Sequence, residues 1–171
     1  MNPPPIARIL ALHPEKNRRE LALLRRWWSP STRHYAWPVL AKFAGPQAIE
    51  NLPLALTAAL YARHPLHQEK VGNLAATCQK LRGTGKVDDR APFDARFQRL
   101  LSSRRISNSG FQKQLLAAVT LCRSKNLPLN YLQLQDDLHQ WHWRGQSVQI
   151  RWASYYYQAT ATEETPAPDP A

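Results

Sequence analysis

Asn130-Tyr-Leu-Gln-Leu-Gln-Asp-Asp-Leu-His-Gln-Trp141 is the stretch that decides the fold. Asn130 and Gln133 have the spacing of a capping box, in which side chains take the unpaired N–H groups of a first helical turn. Tyr131, Leu134, Leu138 and Trp141 then fall at i, i+3, i+7 and i+10, one face of a helix. Upstream, Asn108 or Ser109 opens another helix, with Phe111, Leu115, Ala118, Val119 and Cys122 inward. Before it, Phe93, Phe97, Leu100 and Leu101 form a third stripe. Downstream, Ser147 opens a helix carrying Val148, Trp152, Tyr155 and Tyr156 on one side. A helix cannot turn Tyr155, Tyr156 and Tyr157 to one face, so at least one ring is core.

The first half reads the same way. Asn17 and Glu20 suggest a capping box, with Leu21, Leu24 and Trp28 on one face until Pro30. A second helix begins near Ser31-Thr32 and runs through Tyr35, Val39 and Phe43 to Gly45-Pro46, broken or kinked at Pro38. A third carries Ile49, Leu52, Leu56, Ala59 and Leu60, with Pro53 its weak point, and ends at His64-Pro65. A fourth spans about Asn73 to Leu81. No segment keeps period-two alternation and no Asn-Gly or Asp-Gly hairpin signal occurs. The expected fold is all-α, two small helical bundles (15–83 and 93–158) joined by a short linker at 84–92. Residues 1–14, with four prolines, read as a flexible arm, and 159–171 as a disordered tail.

Composition sets the class of partner. The 171 residues hold 23 bases and 12 acids, a net charge of +11. Three acids (Glu163, Glu164, Asp169) lie in the tail, so the body stands at 23 against 9, or +14. Sixteen of the bases are Arg, whose planar fork binds two phosphate oxygens at once. No run of 18 apolar residues suggests a membrane span, and the start lacks the charged n-region of a signal peptide. Cys78 and Cys122 form no motif and read as reduced core thiols of a cytoplasmic protein.

Catalytic chemistry finds little footing. His139 and His142, at i and i+3, could share a metal, but no third ligand is identifiable. Two partly exposed structural histidines beside Trp141 and Trp143 is the better reading. His64 and His67 flank a turn, and Asp88-Asp89 lies in the expected linker. There is no phosphate-cradling glycine loop and no nucleophile elbow. Neither a metal nor a cofactor is expected, and the chain does not read as an enzyme.

The bases are more informative. Lys80 and Arg82 end the fourth helix. Arg96 and Arg99 stand opposite the Phe93–Leu101 stripe, Arg104 and Arg105 follow it, and Arg123 and Lys125 close the next helix. Cations favour helix C-termini, which accounts for Lys80, Arg82, Arg123 and Lys125. It does not account for the absence of any acid from Ala95 to Tyr131. That span carries seven bases and makes a field suited to a nucleic-acid backbone. Arg25-Arg26 before Trp27-Trp28 could form a stacking platform for bases, set against Trp28 as core and Trp27 packed on the other half.

Several segments together resemble a known family. They are Phe93-Asp-Ala-Arg-Phe-Gln-Arg-Leu-Leu101, Leu121-Cys-Arg-Ser-Lys-Asn-Leu-Pro-Leu-Asn-Tyr131, Leu134-Gln-Asp-Asp-Leu138 with Trp141, and Arg151-Trp-Ala-Ser-Tyr-Tyr156. Tyr35-Ala-Trp-Pro-Val-Leu40, Leu60-Tyr-Ala-Arg-His-Pro65 and Gly72-Asn-Leu-Ala-Ala76 extend the match over roughly residues 32–157. The chain resembles CasB, the small subunit of the type I-E CRISPR Cascade complex. The resemblance implies a two-domain, helical, non-enzymatic subunit, two copies per complex, beside the backbone and large subunits. It implies contact with CRISPR guide RNA and with the target and displaced DNA strands. The family's basic positions map best onto Arg96, Arg99, Arg123 and Lys125. Around residues 75–79, where the family often has an Arg nearby, this chain has no base, and Lys80 or Arg82 would substitute. The alternative is a free-standing helical DNA-binding regulator, with a helix-turn-helix at 108–142.

Overall fold

The computed structural model describes residues 2–84 and 90–158. Within them lie nine α-helices: α1 (Pro5–Leu10), α2 (Arg18–Arg25), α3 (Trp37–Ala44), α4 (Leu52–Arg63), α5 (Leu74–Thr84), α6 (Arg90–Ser102), α7 (Ser109–Ser124), α8 (Tyr131–Gln140) and α9 (Ser147–Tyr156). Among the described residues the one β-type pairing is a single parallel bridge between His67 and Leu129. The protein is all-α, as its periodicity predicts.

α4 occupies the centre because its residues are small and apolar all round. Leu54 to Ala62 are buried without interruption. Ala55, Ala58, Ala59 and Ala62 let neighbouring helices approach closely, and α1, α2, α7 and α8 all pack against it. Pro53 is no weakness here. It stands in the first turn, where no N–H is needed, while Asn51 Oδ1 accepts from Leu54 N at 3.1 Å. Pro38 likewise stands in the first turn of α3, and a short 3-10 turn at Arg33–Ala36 precedes it. Gly45 ends α3 with φ of 90°, a region that glycine enters without a Cβ penalty.

Three further expectations are corrected in the first half. The expected arm is anchored over its described residues 2–14: α1 buries Ile6 and Ile9, and Leu12 follows them into the core. The Tyr61 hydroxyl stands 2.9 and 2.8 Å from the carbonyls of Leu10 and Leu12 and ties the segment to α4. The prolines mask this because Pro5 is itself a helix-starting residue. Asn17 does not cap α2; its Oδ1 accepts from His13 N. Trp27, not Trp28, joins Leu21 and Leu24 in the core, because the chain tightens into a 3-10 turn at Arg26–Trp28 and changes the phase of the stripe.

The second half follows its pattern closely. Asn108 caps α7, accepting from Gly110 N and Phe111 N, and Asn130 caps α8, accepting from Gln133 N. Val148, Trp152 and Tyr156 of α9 are buried, whereas Tyr155, expected on the same side, is exposed, as is Tyr157, because successive residues on a helix stand about 100° apart. α5 extends through Thr84 and α6 starts at Arg90, so Thr84 and residues 90–92 of the expected linker at 84–92 are helical, and residues 85–89 lie outside the described residues. The tail at 159–171 lies outside them too.

The halves are joined by specific bonds. Gln68 N donates to Leu129 O and Leu129 N to Leu66 O, both at 3.0 Å. The Tyr131 hydroxyl donates to His64 O at 2.6 Å. α5 packs on α9 and α7, and buried hydrophobic residues form one cluster from Ile6 to Tyr156. Cys78 and Cys122 are buried and unoxidised there. Hydrogen bonding to Cys122, then burial, pushes the Cys78 thiol well up, which keeps it protonated and unreactive.

Candidate nucleic-acid interface

The end of α6 and the start of α7 diverge around the loop Ser103–Asn108. An open cleft of about 650 Å³ lies between them. Arg99 from the last turn of α6 and Arg104 and Arg105 from the loop line it, with Ser102, Ser103 and Ser107. The loop is held in place from below: Trp141, buried against Phe111 and Trp152, donates its Nε1–H to Ser103 O at 2.8 Å. All three arginines are exposed, and none has an acid within ion-pair range among the described residues. The N-terminus of α7 opens on the same cleft and adds positive potential.

Arg104 also borders a second depression of about 410 Å³, lined by His142, Trp143, Arg144 and Gln149. Trp143 is 51% exposed, beside Arg144. Neither Trp143 nor Arg144 stands among the residues that the charge pattern of the sequence puts forward. The usable signal is the phase of α8, which turns Trp141 inward and leaves Trp143 beyond the helix. His139 and His142 are both exposed, and no cluster of three metal-ligating side chains occurs among the described residues.

The other candidates part company. Arg96 borders a shallow apolar seam with Phe93 and Leu121, apart from the Arg99 cleft. Lys80 and Lys125 are exposed on other elements. Arg82 donates to Asp94 through Nε at 2.8 Å and Nη2 at 3.4 Å, and the Tyr156 hydroxyl donates to the same carboxylate at 2.7 Å. Burial alone would raise the Asp94 pKa, but hydrogen bonds from Arg82 and Tyr156 outweigh it and hold the carboxyl below its usual range. Arg151 is tied to Asp137, a fully buried carboxylate that also accepts from Trp152 Nε1 at 2.7 Å and Gln133 Nε2 at 2.9 Å.

At Arg25-Arg26 the expected base platform does not form. Trp27 is only 3% exposed, and the Arg33 guanidinium covers its ring at 4.2 Å. Arg26 instead stands 4.8 Å over the exposed Tyr35 ring. Arg25 turns inward, donating from Nη1 to Ala62 O at 3.0 Å. Its pKa is lowered by burial first, then by the positive charges of Arg63 and Arg123. Those three arginines, 98 positions apart in sequence from first to last, are neighbours in space.

Comparisons with known proteins agree with this architecture. The sequence model of the family described as CRISPR-associated protein Cse2 matches residues 20–157. CasB from Thermus thermophilus is 25% identical in its crystal structure, with a TM-score of 0.68 over 91% of this chain and 94% of that one. A second crystal structure from Thermus thermophilus, of a CRISPR-associated protein of the Cse2 family, gives the same values. CasB from Thermobifida fusca shares the fold at 21% identity, with a TM-score of 0.62 over 90% of this chain and 94% of its own. No curated protein matches the sequence.

Proposed function

The chain belongs to the CRISPR-associated Cse2 family, and from that membership we propose that it is a non-catalytic small subunit of a type I-E Cascade complex that grips nucleic acid by its backbone. One observation carries the reading. Arg99, Arg104 and Arg105 gather on one open cleft with no acid to neutralise them among the described residues. Such a surface attracts phosphate and carries no base code, which suits a complex whose guide RNA reads the target by pairing. Arg144 and the exposed Trp143 extend it with one ring on which a base can stack. In the assembled complex this surface steadies the guide–target hybrid and the displaced strand, with the backbone and large subunits as neighbours and two copies side by side.

The regulator alternative loses ground in α8. A recognition helix must offer its outer face to the groove, but the outer face of α8 carries the exposed Asp136, whose charge repels phosphate.

The test is binding of the full chain to a fluorescent single-stranded oligonucleotide over a salt series. Log affinity should fall with log salt by ~0.7 per phosphate contacted, irrespective of sequence. Arg99→Glu with Arg104→Glu should weaken binding at unchanged melting temperature. Salt-insensitive or sequence-specific binding overturns the reading.

A further inference from the structure

Three helices end at one place on the seam between the halves, and each carries an arginine in its last turn: Arg25 of α2, Arg63 of α4 and Arg123 of α7. Arg25 reaches Ala62 O, next in the chain to Arg63. His64, on the other side of Arg63, stands 2.6 Å through Nε2 from Leu127 O, in the turn that follows Arg123. Arg63 Nε is buried and has no hydrogen-bond partner among the described residues. Nor does an acid among the described residues pair with any of the three.

Helix-end neutralisation does not explain so much charge. Three C-termini supply about −0.5 each, against three full positive charges. The end carbonyls already have partners as well. His64 N takes Leu60 O and Tyr61 O, and Asn126 N takes Arg123 O. The surplus is net positive, and it includes a donor directed at nothing in the described chain.

We propose that Arg25, Arg63 and Arg123 form an oxyanion site that clamps one phosphodiester of a single-stranded nucleic acid across the seam. The site deepens the backbone-gripping reading above and rests on it. Arg123 is exposed and meets the ligand first, while the half-buried Arg25 and Arg63 form the floor. It stands at the opposite end of α7 from the Arg99 cleft, and 16 residues of helix separate them by ~24 Å. The exposed positions between, Lys113, Ala117 and Thr120, include no acid, so one strand can run from cleft to clamp.

The test uses the full chain, a fluorescein-labelled oligothymidylate without terminal phosphate, and a salt series. Arg63→Gln and Arg123→Gln are each expected to reduce the log–log salt slope by ~0.7. Neither should lower the melting temperature, since each relieves like-charge crowding. Arg63→Lys keeps the charge without the fork and should hold the slope with weaker affinity, which separates charge from packing if Arg63→Gln folds poorly. An unchanged slope in Arg123→Gln overturns the site, whatever the melting temperature does. If Arg63→Gln weakens only assembly with other subunits, the clamp holds a protein carboxylate and the proposal fails. If the wild type itself shows no salt-dependent binding, the proposed function falls too. If only the Arg99 and Arg104 variants lose slope, the clamp alone falls.

Discussion

Arg82 and Arg99 look alike in sequence, each an arginine near the end of a helix, yet they do opposite things. Arg82 is drawn into a carboxylate that joins α5, α6 and α9, where Asp94 also takes the Tyr156 hydroxyl. Arg99 faces an open cleft with Arg104 and Arg105, and no acid lines that cleft. Asp137 repeats the first pattern with Arg151, Trp152 and Gln133. Two of the body's nine acids thus act as internal junctions, and the helix faces between them are left positive. What separates a structural arginine from one available to a ligand is whether a neighbouring helix presents a carboxylate.

That contrast can be broken most forcefully at Asp137. Asp137→Ala leaves the buried Trp152 N–H without an acceptor and Arg151 without its counter-charge, so unfolding should ease by on the order of 3 kcal/mol, measured by denaturant titration. Asp94→Ala should cost about 1–2 kcal/mol, because the Asp94 carboxylate is about a quarter exposed whereas that of Asp137 is fully buried. Asp94 sharpens the comparison through pH as well. Its folded pKa lies below the unfolded one, so its contribution is complete above the ordinary carboxylate range and is lost as pH falls through the folded value.

His64 has the opposite displacement for its charge type. Burial first, and Arg123 nearby, hold the imidazole below its usual pKa, against the pull of the Leu127 carbonyl. The unfolded chain therefore takes the proton first, and stability should decline as pH drops below about 6.5. Arg123→Gln removes one cause and should soften that decline, as read by melting temperature against pH. The smallest stability effect belongs to the open cleft. Arg99→Gln, Arg104→Gln and Arg105→Gln should each stay within about 0.5 kcal/mol of wild type while weakening oligonucleotide binding. If these variants melt like Asp94→Ala, the distinction between the two kinds of arginine is wrong.

Much of the helical plan was legible. The Asn108 and Asn130 caps and the apolar stripes of α7 and α8 form where the sequence places them, because a cap and an i, i+3, i+7 face are local physics. Trp27 escaped because a 3-10 turn advances the phase by a step that no α-period anticipates. α1 escaped because its burial depends on Tyr61, about fifty positions away. The site was legible only as a surplus. The acid-free span points to all seven of its bases alike, Arg96, Lys113, Arg123 and Lys125 with Arg99, Arg104 and Arg105, and Arg63 lies outside it.

By itself, the chain's order of residues determined where helices begin, which face of most of them is apolar, and that bases outnumber acids over the body. Tertiary structure alone decided which arginines meet a carboxylate and that Arg25, Arg63 and Arg123 converge. The reason is range. Helical period and capping act over about four residues, whereas charge pairing and convergence act across helices whose sequence separation carries no record of their distance.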